Sequence, residues 1–204
     1  MSSPGHGDLV LVRHAPTARS PGTNPADWRL APGAMELTAA LAMGLAKVKL
    51  GAPGEAARPG PIDAVVSSHE AKAVATAKTL GLVLGVPTTT SRHLEEHHRG
   101  NLLLDDAEFG RTMRRFFGRQ DVLVFGSETA SEALARFKRG VDETMASLPG
   151  KRLALVSHGT VIALALAEPN GLDPFKFWES LRMPEAIVVR RETWTIVERL
   201  ALDG

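Results

Sequence analysis

The sequence predicts an α/β protein, a three-layer α/β/α sandwich around a mostly parallel sheet. Leu9 to Val12 and Leu153 to Val156 are short, continuous apolar runs, the pattern of strands buried on both faces. Stretches of helical period alternate with them, which favours parallel pairing. The chain has 204 residues, enough for one well-cored domain and short for two. One domain over 1–204 is therefore expected, with the Gly/Ser/Pro-rich residues 1–7 as a frayed tail.

The first strand runs into Arg13-His14 and ends there, because Pro16 disfavours a helix at Ala15 and stops the ladder. Ala18 to Gly33 is rich in Pro, Gly and Asn and reads as a loop, pinned by Trp28 and Leu30. Ala34 to Lys49 is helical, with Leu37, Leu41, Leu45 and Val48 on one face. Gly51 to Pro61 is a linker. Ile62 to Ser67 is the second strand. Ser68 is the expected cap of a helix to Leu84 that buries Ala73, Ala77, Leu80 and Leu84. Val86 to Ser91 reads as a short third strand, and Arg92 to Asn101 as a polar loop.

Asp105 to Gly118 is a helix with Phe109, Met113, Phe116 and Phe117 inward and Arg111, Arg114, Arg115 outward. Ser127 to Leu148 is a longer one, with Leu134, Phe137, Val141, Met145 and Leu148 in a stripe. Thr129 and Glu132 fit a capping box at its start. Leu153 to Val156 forms another buried strand, ending at Ser157-His158-Gly159. A helix follows from Thr160 to Ala167, and Asp173-Pro174 opens a short one. Ala186 to Val189 and Trp194 to Val197 form a hairpin, an antiparallel edge to the sheet.

Composition narrows the function classes. Formal net charge is +1, so no global field favours nucleic acid or an anionic membrane. The chain has 0 cysteines, which excludes disulfides, thiol catalysis and thiolate metal sites. No apolar stretch approaches the roughly 20 residues of a membrane span. Met1 to Asp8 lack a basic or apolar leader segment, so a cytoplasmic protein is expected.

Parallel pairing brings three strand ends to one edge, where open α/β sheets bind ligands. That edge would hold Arg13, His14, Lys72 and His158, the hydroxyls of Ser67, Ser68 and Ser157, and two helix N-termini. Cations, imidazoles and free helix N–H groups together suit a dianion, most simply a phosphate.

Leu11-Val12-Arg13-His14-Ala15-Pro16-Thr17 resembles the Arg-His-Gly signature of the histidine phosphatase superfamily, the phosphoglycerate-mutase-like fold. Ser67-Ser68-His69-Glu70-Ala71-Lys72-Ala73 with Thr76-Ala77 is similar to its Ser-Ser-x-x-x-Arg-Ala-x-x-Thr-Ala motif. Leu94-Glu95-Glu96-His97-His98-Arg99-Gly100 resembles its Leu-x-Glu-x-x-x-Gly segment. Val156-Ser157-His158-Gly159 resembles its Ser-His-Gly segment. The motifs follow in order over nearly the whole chain.

The resemblance implies metal-independent hydrolysis of phosphomonoesters, with no cofactor and a phosphorylated small molecule or phosphoprotein as substrate. His14 would be the nucleophile that carries a phosphohistidine. Its other ring nitrogen should donate to a backbone carbonyl. Arg13, Lys72 and His158 would hold the phosphoryl oxygens. Glu96 would be the acid and then the base, with Glu95 beside it as the alternative. Thr17 and Thr160 are further candidate donors, although turn and cap roles account for them too.

Two residues depart from the signatures. Ala15 stands for Gly. Lys72 stands for Arg, a point charge in place of a two-toothed fork. Lys72 prompts one alternative, a phosphate-binding protein with little turnover. Phosphoglycerate-mutase-type phosphoryl transfer is another, disfavoured because a mutase usually takes longer insertions. A third is a zinc hydrolase using His93 and His97 of the His-x-x-Glu-His string, which requires a helix there. Arg111, Arg114, Arg115 and Arg119 are most simply a solvated helix face, or else attract an acidic substrate to the pocket entrance.

Overall fold

The computed structural model describes residues 8–20, 22–50, 58–59, 62–100 and 105–202. The expected tail at 1–7 and most of the 51–61 linker lie outside them. Among the described residues eight strands form: β1 (Asp8–Arg13), β2 (Lys49–Leu50), β3 (Arg58–Pro59), β4 (Ala64–Ser67), β5 (Thr88–Thr90), β6 (Leu153–Ser157), β7 (Glu185–Arg190) and β8 (Thr195–Ala201). Six α-helices accompany them among the described residues: α1 (Ala34–Leu45), α2 (Ala71–Leu84), α3 (Asp106–Gly118), α4 (Ala130–Ser147), α5 (Gly159–Ala167) and α6 (Pro174–Ser180).

The main sheet has the order β5-β4-β6-β1-β7-β8. β5, β4, β6 and β1 run parallel, and β7 and β8 add the antiparallel edge. Register aligns the site-bearing ends: Arg13 pairs Ser157, and Ser67 pairs Val156. The carboxyl ends of β1, β4 and β6 therefore meet at one edge.

Side chains alternate across the sheet and fill two apolar layers. On one face Val10, Val12, Val65, Ala154, Val156 and Val188 pack with Leu41, Leu45, Ala73, Ala77 and Leu80 of α1 and α2. On the other, Leu9, Leu11, Val66, Leu155, Ile187 and Val189 pack with residues of α3 to α6, among them Phe116, Phe137, Ile162 and Phe175. Each fully buried Leu, Val or Phe contributes about 1.5–3 kcal/mol, so these layers fix where the strand ends lie.

Two helices depart from expectation. α1 stops at Leu45, because Lys49 and Leu50 pair with β3, and Leu37 of the expected stripe is 40% exposed. α2 begins at Ala71 with Glu70 as N-cap, not at Ser68, whose hydroxyl meets His158 instead. The capping box of α4 forms as expected, with Thr129 and Glu132 bonded reciprocally. No described helix is long and apolar enough to cross a membrane.

Candidate active site

The backbone N–H of His14 donates to Ser157 O at 3.0 Å, which ties the residue after β1 to β6. The next N–H, of Ala15, donates to Thr76 Oγ1 at 3.0 Å, and that hydroxyl donates to Lys72 O at 2.8 Å. One threonine of α2 thus anchors the His14 turn. Ala15 is completely buried and has no positive φ, so the methyl group in place of Gly is sterically accommodated.

His14 Nδ1 lies 2.8 Å from Ala15 O. A carbonyl only accepts, so Nδ1 carries the proton and Nε2 keeps the lone pair. Burial above all, and then the neighbouring His158, Lys72 and Arg13, push the His14 imidazole well below its ordinary range against the opposing Ala15 bond. The ring is neutral at neutral pH, with Nε2 unprotonated.

His158 lies beside it. The two ring centroids are 5.1 Å apart, with planes tilted by 58°. His158 is fully buried, its Nε2 2.7 Å from Ser68 Oγ and 3.3 Å from Glu70 Oε1. The Ser68 hydroxyl is the hydrogen-bond partner of this nitrogen, and the Glu70 carboxylate lies beside the pair. Burial first, then Lys72, Arg99, Arg136 and Arg13, hold this imidazole neutral as well.

A cavity of about 830 Å³ opens over this edge, lined by Arg13, His14, Thr17, Lys72, Glu96 and Thr160 among others. His158 lies beneath the lining. Arg13 packs on Gly159, where a Cβ would stand 3.0 Å from the guanidinium and press on it, so the glycine that begins α5 gives the arginine room. Arg13 Nη1 donates to Leu181 O at 2.5 Å, while its buried Nε has no partner among the described residues. Lys72 Nζ donates to Pro25 O at 2.8 Å and to the Glu70 carboxylate. Glu96 Oε2 accepts from the Thr160 N–H at 3.2 Å, and Oε1 from the His97 N–H at 2.9 Å. Glu95 is outside the lining and faces His69 at 3.3 Å.

The segment carrying Glu96 is held from α4. Arg136 donates to the carbonyls of His93, Glu95 and Glu96 at 3.0–3.1 Å. Its other bonds go to Glu128, at 3.0 and 2.6 Å. Burial raises the Glu128 carboxyl, but the Arg136 bonds, the His98 N–H and the arginine charge outweigh it and hold the group below its ordinary value. Gly140 lets the helix approach, since a Cβ there would stand 2.8 Å from that of His93.

The zinc reading is corrected. Residues 93–97 form no helix, so His93 and His97 share no face. His93 meets Glu143 at 3.1 Å, whereas His97 is buried against Phe116 and Phe125 and bonds Glu128 O. Among the described residues no group of three His, Asp or Glu could hold a metal ion. Arg111, Arg114, Arg115 and Arg119 are absent from the cavity lining, and Arg114 stacks on Phe175 at 4.1 Å. Arg19 and Arg99 line it instead.

Three residues that sequence reasoning missed complete the site: Glu70, Arg136 and Glu128. An acid at the start of a helix is unremarkable in sequence, which hid Glu70. Arg136 carried a readable signal, because it shares a helix face with Ala133, Gly140 and Thr144, small residues that leave room for a guanidinium.

A sequence model of the histidine phosphatase superfamily (branch 1) matches residues 9–196. No curated protein matches the sequence. Among solved structures, mycobacterial glucosyl-3-phosphoglycerate phosphatase superposes with a TM-score of 0.65 at 23% identity, covering 89% of each chain. Its complex with VO3 gives 0.65 at 21%, over 98% of this chain and 100% of that one. A histidine-to-alanine mutant of Entamoeba histolytica phosphoserine phosphatase bound to phosphoserine gives 0.58 at 15%, over 89% of each. At these identities the structural likeness establishes the fold.

Proposed function

The chain belongs to the histidine phosphatase superfamily, and from that premise we propose that it hydrolyses phosphomonoesters through a phosphohistidine on His14. The observation that carries this is the locked tautomer. Nδ1 is spent on Ala15 O, and a neutral, unprotonated Nε2 remains beside Arg13 and Lys72.

Nε2 attacks phosphorus in line with the departing ester oxygen, forming the N–P bond as the O–P bond breaks. Glu96 gives its proton to that oxygen. It then takes a proton from water as the water attacks the phosphohistidine, which releases inorganic phosphate and restores His14. Arg13, with its unpartnered buried Nε, Lys72 and His158 neutralise the growing charge on the phosphoryl oxygens. Thr17 is a further donor at the rim. Protein cations supply the neutralisation, so no metal is required. Glu96 is favoured over Glu95 as the acid because it alone of the two lines the cavity.

The leaving-group half is lined by Trp28, Phe109 and Trp178, with the Arg99 guanidinium 5.9 Å from the Trp28 ring and 5.2 Å from that of Phe109. A wall of this kind suits a small organic phosphate. The test is a panel of phosphate esters assayed with EDTA present, beside His14→Ala. Turnover that survives EDTA and disappears in the variant is expected. A fully active His14→Ala protein would overturn the reading.

A further inference from the structure

Glu70 is an acid in a place built for an anion. Its side chain is 10% exposed, and its carboxylate accepts two hydrogen bonds in the cup and lies beside His158. Oε1 accepts the Glu96 backbone N–H at 2.7 Å and lies 3.3 Å from His158 Nε2. Oε2 is paired with Lys72 Nζ. Lys72 and His158 are two of the groups expected to hold the phosphoryl oxygens.

The charges sharpen the point. At the phosphoryl end of the cavity Arg13 and Lys72 bring positive charge and Glu70 negative charge, Glu96 is the proton donor of the proposed reaction, and both imidazoles are held neutral. A phosphate dianion entering with Glu70 in place meets a cup in which part of the positive charge is cancelled. With Glu70 withdrawn, it meets the full positive charge and the same donors set free.

Withdrawal does not disrupt the helix. Glu70 is the N-cap of α2 in extended backbone, yet its side chain caps none of the first-turn N–H groups. Its carboxylate can leave without removing a bond from α2.

We propose that the Glu70 carboxylate is a resident anion that occupies the phosphoryl donors of the empty site, gives way when substrate enters and competes with inorganic phosphate afterwards. The inference rests on the reading of this cavity as a phosphoryl site. It makes Glu70 a specificity residue. A free phosphate must displace the carboxylate unaided, whereas an ester also gains contact with the Trp28, Phe109 and Arg99 wall. Weak product inhibition follows.

The test measures binding of inorganic phosphate and orthovanadate by calorimetry, and their Ki against ester hydrolysis, in the wild type, Glu70→Gln and Glu70→Leu. Removing a charge a few ångströms from a bound anion, in a mostly buried setting, should tighten both ligands by roughly tenfold or more. Glu70→Gln keeps the shape and Glu70→Leu removes the hydrogen bonds too, so whichever variant folds decides. Unchanged or weaker phosphate binding, in a protein whose wild type hydrolyses esters, would show that Glu70 merely orients Lys72 and would overturn this inference alone. If no variant binds phosphate and the wild type has no turnover, the phosphoryl reading of the cavity falls with it.

Discussion

The Arg136 guanidinium meets the Glu128 carboxylate in two hydrogen bonds, at 3.0 and 2.6 Å, and with its remaining donors holds the backbone on either side of Glu96. The pair is largely buried, with side chains 9% and 11% exposed. Removing one partner strands the other charge, at a cost of about 3–5 kcal/mol. Arg136→Met and Glu128→Gln should both unfold at lower denaturant. A merely structural role would leave turnover per folded molecule intact. The expected result is a lower kcat at temperatures where the variants are still folded, with partial recovery in Arg136→Lys.

Thr76 offers a milder probe of the support behind His14. Thr76→Val conserves volume but leaves the buried Ala15 N–H without its acceptor. An unsatisfied buried donor costs about 1–3 kcal/mol. The stability loss should fall in that range, with kcat reduced and KM little changed. An unaltered kcat would mean that the turn holds His14 without this bond.

Much of this site was legible in the sequence, and the boundary is physical. The apolar runs ending in Arg13-His14, Ser67-Ser68 and Ser157-His158 had to be two-faced strands, and parallel pairing had to bring their ends together. Side-chain partnerships across the edge were not legible. Ser68 read as a helix cap because Ser is a common cap. In the fold its hydroxyl serves His158, and the helix starts three residues later. Glu70 and Arg136 were hidden because a charge on a helix is ordinarily solvated. Only the packing of α2 and α4 against the 93–98 loop turns those charges inward.

Protonation gives a stability signature. His14 and His158 are neutral in the folded protein, while an exposed imidazole titrates near pH 6.5. Below that pH the unfolded chain binds more protons than the folded one. Stability should therefore fall as pH drops from about 7, by up to roughly 1.4 kcal/mol per pH unit for each group. Glu128, held below its ordinary carboxyl value, adds its own loss only at more acidic pH. Urea unfolding between pH 7.5 and 5.5 should show this slope, reduced in His158→Gln. A flat profile would mean that the imidazoles are not buried neutral.

Lys72 bears on catalytic strength. A single ammonium held by Pro25 O and Glu70 offers fewer directed donors to phosphate than a guanidinium. Lys72→Arg should keep or raise kcat/KM. Lys72→Met should weaken vanadate binding by about tenfold, the loss of one hydrogen bond between charged groups. Vanadate affinity unchanged in Lys72→Met would remove the residue from the phosphoryl site.

The chemistry itself is tested most directly by rapid alkaline quench of turnover with a 32P-labelled ester, followed by peptide mapping, since phosphohistidine survives base. The expected result is label on His14, formed and consumed within a turnover and absent from His14→Ala. Hydrolysis that proceeds with no label on His14 would contradict the phosphohistidine mechanism.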